Sequence, residues 1–366
     1  MEFVDLHLQY RHIQARVDAR MRAVLAHQRF ILGPEVAELE ERLAARVATR
    51  HCITCASGTD ALLLALMALG VGRRQDGQPD EVITSPFTFF ATGEMITLAG
   101  ARPVFVDIEP VGYNIDPSKI EAAITRRTKA ILPVSLYGQA AEMDAIDKIA
   151  ARHGLAVIED AAQSFGAVYK GRHSGNLSTI GCTSFFPSKP LGCYGEGGAL
   201  FSNDDALADK MKAIRTHGGL KRHEHPFLGT NGRFDSIQAA VLLAKLPHFP
   251  WEVEERGRIG ARYSSALADR VVVPKVAAGN THVYAQYTIR IPERDRVAER
   301  LKQQGIPTAV YYPKCLHEQP VFEKLGWSLG DFPVSEKAAG EVLSLPMHPF
   351  LTEADQDKVI QAILSN

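Results

Sequence analysis

Between residues 51 and 202 the chain alternates short apolar runs with stretches of helical periodicity, and this alternation restricts the fold more than any other feature. The runs fall at 51–54, 82–85, 104–106, 130–134, 156–159, 182–186 and 199–202. The first five are separated by segments of helical pattern at 60–69, 94–98, 117–124 and 143–152. Strands joined through helices run parallel, and a parallel sheet is covered on both faces, so its strands can be apolar throughout. The last two runs are joined only by the segment around Lys189. The expected architecture is therefore α/β, with a seven-stranded mixed, mostly parallel sheet.

Ahead of the first run, the chain breaks at 30–34 and a helix follows over 35–47, with Val36, Leu39, Leu43 and Val47 on one face. After the last run, helices are expected at 205–217 and 236–246, the second with Asp235 as N-cap, and a long helix through 256–268. Beyond that the pattern changes to α+β: strands at 284–289 and 308–311, helices at 294–304, 335–343 and 353–364. We expect two domains, 1–250 and 251–366, the second smaller.

Composition narrows the function by exclusion. The 366 residues are 46% hydrophobic and 23% charged with a formal net charge of -1, an ordinary globular balance with no basic footprint for nucleic acid or an anionic membrane. The first twenty residues contain Glu2, Asp5, Arg11, Arg16 and Asp18 and lack the apolar core of a signal peptide. The longest apolar run, 61–69, is too short to span a bilayer. Five cysteines argue against a disulfide framework and for a reducing, cytoplasmic setting. Cys52 and Cys55 form a C-x-x-C without a second pair at zinc spacing, and His217, His223 and His225 with Lys221 and Arg222 read as a polar loop. No metal is expected. Residues 73–79 read as a surface loop.

Ligands of open α/β sheets bind at the carboxyl ends of the strands. The first strand ends in Ala56-Ser57-Gly58-Thr59-Asp60 and runs into a helix, where small residues and helix-terminal amides suit a phosphate; an ordinary βα loop is the alternative. The second leads to Phe87-Thr88-Phe89-Phe90, whose rings either close over a flat ring system or pack in the core. The fifth ends at Asp160, a carboxylate at the end of a buried strand, which needs a cation or several donors unless it caps the next helix. The sixth leads through Ser184 to Lys189, which lies in a segment stiffened by Pro187 and Pro190. Taken together, these strand ends describe a site for pyridoxal 5'-phosphate: the lysine amine anchors the cofactor and the aspartate keeps its ring nitrogen protonated.

The sequence resembles the DegT/DnrJ/EryC1/StrS sugar-nucleotide aminotransferases, of the fold type I, aspartate aminotransferase-like class, over nearly its whole length. The resemblance rests on Phe30-Ile31-Leu32-Gly33-Pro34-Glu35, Gly58-Thr59-Asp60-Ala61, Tyr137-Gly138-Gln139, Glu159-Asp160-Ala161-Ala162-Gln163-Ser164, Ser184-Phe185-Phe186-Pro187-Ser188-Lys189 and Leu345-Pro346-Met347-His348-Pro349. It implies Lys189 as the cofactor-bearing lysine, Asp160 as partner of the ring nitrogen, Gln163 beside the ring hydroxyl and Phe89 stacked on the ring. Gly58, Thr59 and Ser184 fall at phosphate-binding positions, and Asn231 at the one that completes the phosphate site of a partner subunit, so a homodimer with shared active sites is implied. Phe30, Arg233, Tyr311 and Tyr312 fall near the substrate; where the family usually reads His-Tyr-Pro, this chain reads Tyr311-Tyr312-Pro313.

The segments 133–139, 189–195 and 284–288 are similar to the subgroup that moves an amino group from L-glutamate to C3 of a UDP-linked 3-oxo-2-acetamido uronic acid for surface polysaccharide, lipopolysaccharide O-antigen included. Other 3-oxo or 4-keto hexoses linked to UDP or dTDP are the alternative substrates, and a regulatory or binding protein on the same fold is the alternative outside enzymes. Related dehydratases carry histidine in place of the lysine, and no strand here leads into the G-x-G-x-x-G of a nicotinamide dehydrogenase.

Overall fold

The structure is a computed structural model that describes residues 1–219, 221 and 223–365. Its elements in chain order begin with α1 (Leu6–His27), α2 (Pro34–Val47), β1 (His51–Cys55), α3 (Gly58–Ala68), β2 (Glu81–Thr84), α4 (Phe90–Leu98), β3 (Arg102–Phe105) and α5 (Pro117–Ile120). Next come β4 (Thr128–Ile131), α6 (Met143–His153), β5 (Ala156–Asp160), β6 (Val168–Tyr169), β7 (Arg172–His173), β8 (Ile180–Ser184) and β9 (Gly198–Ser202). The rest are α7 (Asp205–Arg215), α8 (Ser236–Lys245), α9 (Phe249–Leu267), β10 (Tyr287–Arg290), α10 (Arg294–Gln303), α11 (Pro333–Glu341), β11 (Val342–Leu345) and α12 (Glu353–Leu364).

All seven expected strands join one sheet in the order β1-β9-β8-β5-β4-β2-β3. β9 is antiparallel to both its neighbours and the other pairings are parallel. The helix-free 185–197 link explains β9, since a chain that returns without a crossover must reverse direction. Successive side chains of each strand enter opposite layers. Ile53, Val82 and Ala130 pack with α3, α4 and α7, while Cys52 joins the α2 and α8 layer and Ile83 and Ile131 join the α6 layer. Cys52 and Cys55 thus face opposite layers, both unpaired, and cannot share a ligand.

A further core, from Ile259 to Ile363, is built by α9, α10, α12 and the antiparallel pair β10–β11. Here two expectations fail. Residues 308–311 form no strand, only a bridge from Ala309 to Ser344, since Pro307 and Pro313 deny the segment two backbone donors. The helix expected over 335–343 stops at Glu341, and Val342–Leu345 is a buried strand instead. Its Val-Leu-Ser-Leu run fits a fully buried strand as well as a helix end, so periodicity does not separate them. The strand expected over 284–289 begins at Tyr287, because Tyr284 sits at φ 45 in the left-handed region.

The short hairpin β6–β7, unforeseen in the sequence, turns through Lys170 and Gly171, both with positive φ as a two-residue hairpin requires. Asp235 is the N-cap residue of α8, but its side chain makes no capping hydrogen bond. Residues 73–78 are exposed, in a loop closed by a bridge from Arg73 to Pro79. No described helix is long and apolar enough to cross a membrane.

Candidate active site

The carboxyl ends of β1, β2, β5 and β8 open on one cavity of about 410 Å³, a size that suits a small ligand. Of the expected site residues, Gly58, Thr59, Phe89, Asp160, Gln163, Ser184, Lys189, Tyr311 and Tyr312 all line it.

Asp160 ends β5 and is 6% exposed. Its Oδ2 accepts from Thr92 Oγ1 at 3.1 Å and its Oδ1 from the Ala162 amide at 3.1 Å. Thr88 Oγ1 lies 3.2 Å behind Thr92 Oγ1 and extends the relay. Burial pushes the carboxyl above its ordinary range; the Ala162 amide, the charge of Lys189 and Thr92 pull against that. Burial likewise lowers the Lys189 amine, with the Asp160 charge opposing. Lys189 is half-buried, and among the described residues its Nζ has no hydrogen bond or ion pair, so its lone pair can be freed at modest cost.

Local chain folding explains where that amine sits. The Lys189 amide bonds the Phe186 carbonyl at 2.9 Å, and the Cys193 amide bonds Phe185 at 2.8 Å, so the loop closes on itself. A Cβ on Gly192 would meet the Pro187 oxygen at 2.5 Å, and only glycine lets the return limb pass so close.

At the opposite wall, Ser57 caps α3 by accepting from the Asp60 amide at 3.0 Å. The Gly58 and Thr59 amides open the helix, where no carbonyl precedes them by one turn, so they are free for an anion. Ser184 approaches so closely that a Cβ on Gly58 would fall 2.5 Å from its Cβ. Gln163 receives the Tyr137 amide at 2.8 Å on Oε1 and donates to the Tyr312 hydroxyl at 3.1 Å. The Tyr312 ring lies 6.0 Å from that of Phe89, which is 53% exposed over the opening. Phe87 is instead in the core and Phe90 packs on Phe322, so the aromatic run divides between the two roles expected of it.

Phe30 lies outside this cavity. Asn231 and Arg233 line a neighbouring one that shares Glu196 with it. Among the described residues the Arg233 guanidinium has no hydrogen bond or ion pair, and its buried Nε has no partner. Among the described residues no group of three or more His, Cys, Asp and Glu is placed to hold a metal; His217, Lys221, His223 and His225 are exposed and Arg222 lies outside the described residues. Sequence reasoning missed Thr92, which announces nothing in a helix, and Gln286, whose buried Oε1 faces the cavity without a partner.

The unpaired Gln286 oxygen, the free Lys189 amine, the helix-terminal amides and the buried Asp160 carboxylate are groups that fit pyridoxal phosphate, which carries an anion, an aldehyde and a basic ring nitrogen. Comparison with known proteins agrees. The chain is 52% identical to the UDP-2-acetamido-2-deoxy-3-oxo-D-glucuronate aminotransferase of Pseudomonas aeruginosa, covering 100% of both chains. It is 50% identical to the pleiotropic regulatory protein of Geobacillus stearothermophilus, over 98% of this chain and 96% of the other. The crystal structure of NtdA from Bacillus subtilis with bound cofactor PMP superimposes with a TM-score of 0.89 at 31% identity, covering 99% of this chain and 82% of that one. With a family match over residues 11–364, the chain belongs to the DegT/DnrJ/EryC1/StrS aminotransferase family, whose members depend on pyridoxal phosphate.

Proposed function

We propose that the protein transfers the amino group of L-glutamate to C3 of a UDP-linked 3-oxo-2-acetamido uronic acid. The observation that carries the transaminase chemistry is the unpaired Lys189 amine in one cavity with buried Asp160. The sugar assignment draws on the full-length likeness to the Pseudomonas aeruginosa enzyme.

When bound, the cofactor supplies an electron sink for the electrons released at the substrate carbon. Lys189 Nζ would hold the cofactor, and its free amine would be the base that takes the proton from the substrate carbon and returns it. Asp160, fixed by Thr92 and the Ala162 amide, holds the proton on the ring nitrogen. Gln163, held by Tyr312, would meet the ring hydroxyl, and Phe89, exposed beside Tyr312, would supply the stacking surface. The Gly58 and Thr59 amides with Ser184 take the phosphate. Arg233, unpaired beside Asn231, takes a carboxylate of donor or uronate in bidentate fashion. Tyr311, which lines the cavity, borders the sugar nucleotide.

Among the described residues Lys189 is the only cation lining the cavity, whereas the sugar nucleotide and glutamate bring several negative charges. This favours a homodimer in which Asn231 and Arg233 serve the second copy's site; a monomer with full activity at sedimentation-resolved concentrations contradicts it. The five unpaired buried cysteines suit the cytoplasm, which cell fractionation checks.

The deciding experiment is a panel in which glutamate-dependent amination of the UDP-linked 3-oxo uronate is measured beside that of a 4-keto hexose nucleotide. The expected preference in kcat/KM is about 100-fold or more, as for a site that pairs a polar group of its substrate; equal or reversed preference overturns the sugar assignment. A regulatory reading has the name of the Geobacillus stearothermophilus relative in its favour, and the intact Lys189 and Asp160 arrangement against it.

A further inference from the structure

The Lys189 loop is held from beneath by a second lysine. Lys245, in the last turn of α8, is 2% exposed. Its Nζ donates to the Gly192 carbonyl at 2.5 Å and stands 4.7 Å from the centre of the Tyr194 ring. Two turns earlier on the same helix, Gln238 Oε1 accepts from the Tyr194 amide at 2.9 Å. Gly192 is where the return limb crosses the Phe186 and Pro187 carbonyls, so closely that an added Cβ would fall 2.6 and 2.5 Å from their oxygens. A buried ammonium is costly, and apolar side chains would fill the space behind the loop with less penalty.

We propose that Lys245 is a positioning residue for catalysis: with Gln238 it clamps the return limb of the Lys189 loop, at Gly192 and Tyr194, and so fixes where the Lys189 amine stands. This rests on Lys189 as the cofactor-bearing residue. α8 is suited to the task because it is itself anchored. Val241 and Ala244 pack on Ile13 and Val17 of α1, and Ser236 Oγ accepts from the Gly33 amide at 2.9 Å.

The test compares Lys245→Met, which keeps the volume and loses the donor, with Lys245→Gln, which restores a neutral donor. In the cofactor-loaded protein we expect Lys245→Met to lower kcat about 10- to 100-fold, the scale of a small misplacement of reacting groups, with the KM for sugar nucleotide within about 2-fold. The pH midpoint of the bound cofactor's visible absorption should move, because an amine no longer fixed in place meets a different degree of burial and a different distance from Asp160, and Lys245→Gln should recover part of kcat. Wild-type kcat and an unmoved midpoint in Lys245→Met overturn the proposal. Should Lys245→Met not fold, Gln238→Leu, which frees only the Tyr194 amide, must show the kcat loss for the clamp to stand. Borohydride reduction of wild type, followed by locating the adduct, separates the outcomes: an adduct away from Lys189 fails the underlying assignment, whereas one on Lys189 with inert variants fails the clamp alone.

Discussion

Two adjacent carboxylates on β5 do different work because their side chains leave the strand on opposite faces. Asp160 opens on the cavity. Glu159 turns into the core, fully buried, where Ser174 Oγ donates to it at 2.7 Å and the Gly175 amide at 2.9 Å. Burial lifts the Glu159 carboxyl to about 7, against the pull of those donors. Its folded value therefore exceeds the ordinary 4.5, so the folded state binds more protons than the unfolded between those values. The stabilisation is complete below about 4.5 and lost as pH rises through about 7, a fall of order 3 kcal/mol across the window. Denaturant melts of Glu159→Gln at a series of pH values should lack this fall; an unchanged slope contradicts the assignment. The sequence shows Glu159 and Asp160 side by side, and strand alternation alone assigns them opposite faces. It does not say which face holds the ligand until the neighbouring strand ends are considered together.

The turn from β1 into α3 is the element on which the proposed anion binding depends. It works only because β8 comes close enough for Ser184 to stand over the helix start, and that approach leaves no room for a side chain at Gly58. Gly58→Ala should therefore cost about 1–3 kcal/mol through overpacking and weaken cofactor uptake, measured together by thermal melts of the loaded and empty protein. A variant that melts and binds like wild type contradicts this packing account. Elements with strong local signals, the seven strands and the helices α2, α3, α6, α10 and α12, are legible because periodicity and length agree in each. Those that were misread are short and settled by tertiary pairing: β11 is a strand because β10 lies beside it, and 308–311 is not one because its prolines break the ladder.

For the molecule as a whole, one sheet gathers residues more than a hundred positions apart, Gly58 and Lys189 among them, and the chain beyond Ile259 brings Gln286, Tyr311 and Tyr312 to the same cavity, the two tyrosines packed against the sheet's own core. Much of the site was legible because strand ends in a parallel sheet share one side, so chain order suffices to assemble it. The contributions of Thr92, Gln238 and Lys245 were not, since each depends on how a helix is rotated against its neighbours. The proposed chemistry rests on the Lys189 amine carrying the cofactor. It is tested most directly by loading the wild-type protein with pyridoxal phosphate, reducing it with borohydride and locating the modification by peptide mass spectrometry. A pyridoxyl adduct on Lys189 is the predicted result; an adduct on any other lysine, or none with the cofactor demonstrably bound, contradicts the account.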